Sequence, residues 1–280
     1  MDVSIIIVNY NTCNLICNCL KSVFEQTKDI DFEVIVSDNG SKDGSIEMIK
    51  HEFPEVILIE NNANLGFGAA NNRGLQIAKG KYIFYLNSDT ILLNNAVKIF
   101  FDYWENSPEK DTIGALGANL LNEKGEVIHS GGNLPTIKNE ISYFFKCVLS
   151  SLGIKKIVLI LGWKTKVYSH YVGEIGYVTG ADLFMLNNDD AKYDEHYFMY
   201  YEESDLQFHL QQQGKKSFVI SDPRIIHLEG GSEKKDMSKY DFSKKTSRYY
   251  WKSCCYYLKK NLKAKFAAMM IELSLNIISI

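Results

Sequence analysis

Through its first 121 residues the chain alternates short apolar runs with stretches of helical hydrophobic spacing. Val3 to Val8 is a β-branched run that stops at Asn9-Tyr10-Asn11-Thr12, after which Leu15, Cys19, Leu20 and Val23 recur at helical intervals. Phe32 to Val36 stops at Ser37-Asp38-Asn39-Gly40-Ser41, and Asp43-Gly44-Ser45 restarts a helix through Ile49. Val56 to Ile59 ends in Glu60-Asn61-Asn62, and the turn Asn64 to Gly68 leads into a helix through Ala78 that Gly80 caps. The run Lys81 to Leu86 then halts on Asn87-Ser88-Asp89. Apolar runs bounded by polar turn residues predict buried strands. Strands alternating with helices predict βαβ units and a parallel sheet.

Beyond this the pattern loosens. A helix carrying Ile99, Phe100 and Trp104 follows Asn95, and Ile113 to Leu121 reads as a strand. Between residues 137 and 172 assignment is harder, with an amphipathic helix around Phe144, Val148 and Leu152 and an apolar run from Ile157 to Leu161. Glu174 to Val178, Leu183 to Leu186, Ser217 to Ile220 and Arg224 to His227 are further strand-like segments, and a helix from Glu202 through Gln213 closes at Gly214. No internal repeat or long linker interrupts the chain.

Composition narrows the functional classes. The 46% hydrophobic and 12% aromatic content is that of a folded globular protein. A net charge of −3 argues against a general nucleic-acid binder. The six cysteines, with Cys13, Cys17 and Cys19 crowded together and Cys254-Cys255 adjacent, match neither a zinc pattern nor a disulfide framework. They read as thiols in a reducing cytoplasm. No signal peptide is legible, and no run reaches the ~18 apolar residues of a membrane span.

In an open α/β sheet, ligands bind outside the carboxyl ends of the strands. Those ends supply Tyr10, Asp38 and Asp89, with the glycine-rich turn Asn64 to Gly68 beside them. Glycines let backbone approach a phosphorylated ligand, and a helix N-terminus favours its oxygens. The turn is neither GxGxxG nor a Walker A sequence. Tyr10 suits stacking on a base, Asp38 suits accepting from a base or ribose, and Asp89 suits a hard divalent ion that also holds substrate phosphates. Each also has an ordinary reading as packing or turn chemistry.

The segments Ser4 to Thr12, Asp38 to Gly44, Asn64 to Gly74 and Leu86-Asn87-Ser88-Asp89 together resemble the family 2 glycosyltransferases, and most of all their rhamnosyltransferase-like branch, which builds bacterial surface polysaccharides. Thr179 to Asp182, Tyr193 to Leu206 and His227 to Ser232 continue the likeness in order. The resemblance implies a GT-A fold: a Rossmann-like, mostly parallel central sheet flanked by helices. It implies a glycosyltransferase domain over residues 1–232, with a nucleotide-sugar half to about residue 120 and an acceptor half after it, and a helical extension over residues 233–280. It also implies inverting transfer of rhamnose from dTDP-rhamnose, or of a hexose from a UDP-sugar, to a saccharide acceptor. A nucleotidyltransferase and a non-catalytic nucleotide-sugar-binding subunit are the alternatives.

By the same resemblance, Asn9, Tyr10, Asn11, Asp38, Asn64, Gly66, Gly68, Arg73 and Ser88 hold the nucleotide. Mg²⁺ or Mn²⁺ falls to Asp89, with His227 completing the site; Asn87 stands where relatives carry a further acid. The base is assigned to Glu203 of the Glu202-Glu203 pair, with Asp182 and Glu202 on the acceptor side. Read structurally, Glu203 and Asp205 satisfy the dipole of a helix start. The tail from Tyr249 interleaves tyrosines and Trp251 with lysines and turns apolar after Phe266. It reads either as a membrane-interface helix serving a polyprenyl-linked acceptor at the cytoplasmic face, or as a helix packed on the domain or on a second subunit.

Overall fold

The computed structural model describes residues 1–151, 169–228 and 244–278. The expected apolar run at 157–161 and the boundary near residue 232 lie outside them. The first half forms β1 (Val3–Asn9), α1 (Cys13–Gln26), β2 (Phe32–Asp38), α2 (Ser45–Glu52), β3 (Ile57–Glu60), α3 (Phe67–Leu75) and β4 (Tyr82–Asn87). These strands pair in parallel, in the order β3-β2-β1-β4. Their inward sets alternate: Val3, Ile5, Ile7, Phe84 and Leu86 pack with α1 and α4 on one face, while Ile6, Ile83 and Tyr85 pack on the other. A strand buried on both faces reads as a continuous apolar run, which is why the pattern located these strands so closely.

The second half adds β5 (Thr90–Leu92), α4 (Ala96–Asn106), β6 (Ile113–Leu121), β7 (Gly131–Gly132), α5 (Ile137–Ser151), β8 (Gly173–Ile175), β9 (Tyr177–Val178), β10 (Asp182–Leu186), α6 (Glu202–Gln212) and β11 (Lys216–His227). β10 enters antiparallel between β4 and β6, followed by β11 and β5. The sheet is therefore mostly parallel, with β10, β5 and β8 as antiparallel members. The expected strands at 217–220 and 224–227 are one strand. Its register against β6 shifts between Ile220 and Ile225, and Pro223 lies in that irregularity, where a missing N–H is tolerated.

Finally α7 (Lys245–Lys260) and α8 (Lys265–Ile278) join α5 around Trp251, Tyr257, Leu258, Ala268 and Ile271. The α7 helix is packed on the domain, Trp251 and Tyr257 being sealed from solvent. The α8 helix buries Ala267, Ala268 and Ile271 but turns Phe266, Met269, Met270 and Leu273 outward. No helix among the described residues is long and apolar enough to cross a membrane.

Candidate active site

The register aligns Asn9 with Asp38 and Val8 with Asn87, so β1, β2 and β4 end side by side. The loops beyond them are tied by side chains. Asn9 donates from Nδ2 to Asp38 Oδ2 at 2.7 Å and to Ser41 Oγ at 3.1 Å. Asp38 Oδ1 accepts from the Gly40 and Ser41 N–H groups at 2.9 and 2.8 Å. Asn11 accepts from the Lys42 N–H at 2.8 Å, and its own N–H donates to Ser41 Oγ at 2.9 Å. The Thr12 hydroxyl donates to Asn9 Oδ1 at 2.6 Å and lies 3.1 Å from Ser88 Oγ. Asn9 and Asp38 are sealed from solvent, so in this conformation they build the loops from beneath, while Tyr10, 42% exposed, stands open above them.

The glycine-rich turn closes the far side. Asn64 Oδ1 accepts from the Gly66 N–H at 3.0 Å. Asn39, buried, donates to the Gly66 carbonyl at 3.2 Å and accepts from Asn61 at 3.1 Å. Gly66 caps α3 at φ 89° and ψ 173°, a region essentially restricted to glycine. A side chain there would stand 2.4 Å from the Phe198 carbonyl oxygen, which accepts the Phe67 N–H at 3.0 Å. Gly68 lies against Tyr193, where a Cβ would come within 3.0 Å of that residue's Cβ. Arg73 is exposed six residues past the start of α3, about 9 Å along its axis and outside the first turn.

Asn39 and Asn72 were not among the expected site residues. Asn72 is buried on α3, donates to the Tyr193 carbonyl at 2.9 Å and to Glu195 at 3.0 Å, and accepts the Tyr193 N–H at 2.9 Å. Asparagine is a poor interior helix residue, so an Asn71-Asn72 pair inside a Gly/Ala-rich helix was a legible sign of such a tertiary role.

At the end of β4, Asp89 meets His227 of β11, whose register partner is Thr90. His227 Nε2 lies 3.3 Å from Asp89 Oδ1 and 3.3 Å from Asn87 Nδ2. The Leu228 N–H donates to the Asp89 carbonyl at 2.9 Å, fixing the two ends together. Among the described residues no three His, Cys, Asp or Glu side chains are grouped to hold a metal. One carboxylate oxygen and one imidazole nitrogen nonetheless suit a hard divalent ion that takes its other ligands from substrate phosphates and water. Among the described residues the buried His227 Nδ1 meets no hydrogen-bond partner, while Nε2 faces Asp89 and Asn87.

The acidic pair opens α6. Its entry is unusual: Tyr200 and Tyr201 both take left-handed backbone, at φ 69° and 70°, at a cost of roughly 1–3 kcal/mol each. Glu203 is half-buried, and a Cβ at Gly180 would lie 3.9 Å from its Cβ and 3.2 Å from the Phe67 ring. The carbonyl of the next residue, Ala181, accepts the Asn87 N–H at 3.0 Å, which brings Glu203 to the same sheet edge as Asp89. Glu202 is only 5% exposed, and its Oε2 meets no hydrogen-bond partner among the described residues. Burial, and next the neighbouring Glu203 carboxylate, push its pKa well above the ordinary range.

Two acids differ from expectation. Asp182, assigned to the acceptor side, is sealed inside the sheet; its Oδ2 accepts the Ala118 N–H at 2.6 Å, and burial raises its pKa strongly. It locks β10 to β6 and offers no surface to a sugar in this conformation. Asp205 accepts from Lys260 at 2.7 Å, from Asn261 at 2.6 Å and from the Tyr197 hydroxyl at 3.0 Å. It anchors α7 and does not merely answer the helix dipole.

With this geometry in place, comparison with known proteins is decisive at the family level. Residues 4–154 match the model of glycosyl transferase family 2, just over half of the chain. The chain belongs to that family. The family 2 transferase is similar to the Escherichia coli UDP-Glc:alpha-D-GlcNAc-diphosphoundecaprenol beta-1,3-glucosyltransferase WfaP, 37% identical over 123 residues that make up 40% of this chain and 48% of WfaP. Among solved structures it resembles S. aureus TarS 1-349 in complex with UDP (TM-score 0.54, 14% identity, 95% of this chain and 68% of that one). It also resembles the Pyrobaculum calidifontis mannosyltransferase PcManGT in complex with GDP-Man and Mn2+ (TM-score 0.50, 17% identity, 81% and 56%). Both likenesses bear on the fold, which is of the GT-A kind. The chain spans only part of many of its curated relatives: 19%, 57% and 20% of three of them.

Proposed function

We propose that this protein transfers a sugar from a nucleoside-diphosphate sugar to a saccharide acceptor, with inversion and with a divalent metal, in the assembly of a surface polysaccharide. The observation that carries this is the contact of Asp89 with His227 at the sheet edge where Asn87 bonds Ala181, the neighbour of the Gly180 that packs near Glu203, beside the tied loops of Asn9, Asp38 and Gly66. Tyr10 stacks on the base, and the N-terminus of α3 takes the diphosphate. The Glu203 carboxylate removes the acceptor hydroxyl proton, the oxygen attacks the anomeric carbon, and the bond to the nucleoside diphosphate breaks. Asp89 and His227 would hold a Mg²⁺ or Mn²⁺ there, which would supply charge stabilisation for the departing diphosphate. Glu202, its neighbour in the chain, is buried, and its pKa is held above the ordinary range by that burial and next by the Glu203 carboxylate.

A UDP-hexose is the donor this reading prefers over the dTDP-rhamnose of the rhamnosyltransferase branch; UDP-Glc in the name of WfaP and UDP in the TarS complex support it. The acceptor is a lipid-linked saccharide met at the cytoplasmic face of an anionic membrane. Support comes from the outward stripe Phe266, Met269, Met270 and Leu273 on α8, which spaces as one helical face and begins beside exposed Lys263 and Lys265. A homodimer through the same stripe is the competing use.

The test is a transfer assay with a panel of nucleotide sugars and Mn²⁺, run on the wild type, Glu203→Gln and Glu202→Gln. Loss of a general base lowers turnover by ~10²-fold or more. That loss should appear at Glu203→Gln with UDP affinity unchanged. Near-normal turnover of Glu203→Gln, or a larger loss at Glu202→Gln, would move the base elsewhere.

A further inference from the structure

The segment from Tyr193 to Asp205, which delivers Glu203, lies between two supports. On one side is the glycine-rich turn, through Phe67, Gly66 and Asn72. On the other is α7. Tyr249, Tyr250, Ser253, Tyr256, Tyr257 and Lys260 recur at i, i+1, i+4, i+7, i+8 and i+11, a single helical stripe, and each touches this segment.

The contacts run the length of the helix. The Tyr249 ring lies 4.5 Å from that of Phe198, and the Tyr250 hydroxyl is 3.2 Å from the Tyr201 hydroxyl, which donates to Glu140 of α5 at 2.5 Å. Ser253 donates to the Met199 carbonyl at 2.8 Å, and Tyr256 to Asp194 at 3.0 Å. Lys260 bridges Asp194 at 2.8 Å and Asp205 at 2.7 Å, and Asn261 adds a bond to Asp205 at 2.6 Å. Two consecutive aromatic residues in left-handed backbone do not hold themselves, and these are the bonds that hold them. Asp205 sits two residues after Glu203 in the same first turn, where it points away from Glu203.

We propose that α7 is a brace for the reaction centre, and that Lys260 and Asn261, acting through Asp205, are positioning residues that fix the first turn of α6 and hence the direction of Glu203. The inference rests on Glu203 being the base. It gives the lysine- and tyrosine-rich tail a role in turnover distinct from any membrane contact, and it ties the donor loop to the base through Phe198.

The test compares Lys260→Met, Lys260→Arg and Asn261→Ala with Glu203→Gln in the full-length chain. Misplacing a reacting group by about 1 Å costs up to ~10²-fold in rate. Lys260→Met should lose roughly 10- to 100-fold in kcat, with the donor KM within about twofold of wild type. Lys260→Arg should recover most of that loss, and Asn261→Ala should fall between. Hydrogen exchange at residues 198–204 should rise in Lys260→Met while β1 and β4 stay protected. Normal kcat in Lys260→Met and Asn261→Ala beside an inactive Glu203→Gln overturns the brace and leaves the base assignment standing. An active Glu203→Gln sinks the base assignment instead, and exchange alone then decides: unchanged protection at 198–204 overturns the brace. Should Lys260→Met fail to fold, Asn261→Ala and Ser253→Ala carry the same comparison.

Discussion

Gly66→Ala separates steric from conformational effects at the junction of donor loop and base segment. Gly66 has φ 89° and ψ 173°, and an added Cβ would stand 2.4 Å from the Phe198 carbonyl oxygen. The backbone strain is about 1–3 kcal/mol, and overpacking against rigid backbone adds roughly another 1–3. Gly44 is the control: it too is left-handed, at φ 85° and ψ 5°, but nothing lies within 4 Å of its Cβ position. Gly44→Ala therefore carries the strain alone, about 1–2 kcal/mol. The excess at Gly66, about 0–5 kcal/mol and centred near 2.5, comprises the contact and the harsher strain of its ψ of 173°. The contact can be relieved only by withdrawing Phe198 and breaking its 3.0 Å bond with the Phe67 N–H, which parts the donor loop from the segment bearing Glu203. Urea unfolding of both variants gives the excess, and UDP calorimetry with initial rates gives its effect on function. Gly66→Ala should unfold at clearly lower urea than Gly44→Ala and lose both UDP affinity and kcat. Equal midpoints with unchanged kinetics would refute the rigid junction.

Asp89→Ala should abolish Mn²⁺-dependent UDP binding by calorimetry while circular dichroism stays native, and His227→Ala should weaken it less; unchanged binding would reduce Asp89 to a turn residue. Glu202 has a folded pKa raised above its ordinary 4.5, so its unfolded form ionises first and stability falls as pH rises from that value toward the folded pKa. Glu202→Gln should flatten that decline and raise the urea midpoint at neutral pH; an unaltered slope would mean that the acid is charged in place. Phe266→Asp with Leu273→Asp should reduce sedimentation with anionic liposomes and leave the sedimentation velocity of the free protein unchanged; loss of a dimer instead would assign the stripe to a second copy.

The parallel half of the fold was legible because strands buried on both faces write their limits into the sequence. Phe32 to Val36 grew only to Asp38, and Val56 to Ile59 shifted by one residue. The antiparallel entry of β10 was not legible, since Leu183 to Leu186 is equally apolar beside any neighbours. Ser221-Asp222-Pro223 read as a break, yet the strand continues through it as an irregularity. Within the site, strand ends pointed to Asp38 and Asp89. Burial did not show: Asp182 and Asp205 look like surface acids in sequence and are sealed by backbone and by Lys260. Nor did a run of tyrosines reveal that two of them turn left-handed before Glu202.

The place of β10 also dictates the order in which the chain can mature. β4 ends at Asn87, and its outer neighbour is complete only at Leu186. At roughly 5–20 residues per second, the ribosome needs about 5–20 s to cover that interval. Meanwhile Tyr82 to Leu86, the most aromatic strand of the sheet, presents an unpaired edge to whatever is nearby. A fragment ending near residue 154 would contain nearly everything the family model matches and still leave β4 and β6 without the strand that lies between them. Such a fragment should collect in the insoluble fraction unless β10 is supplied in trans.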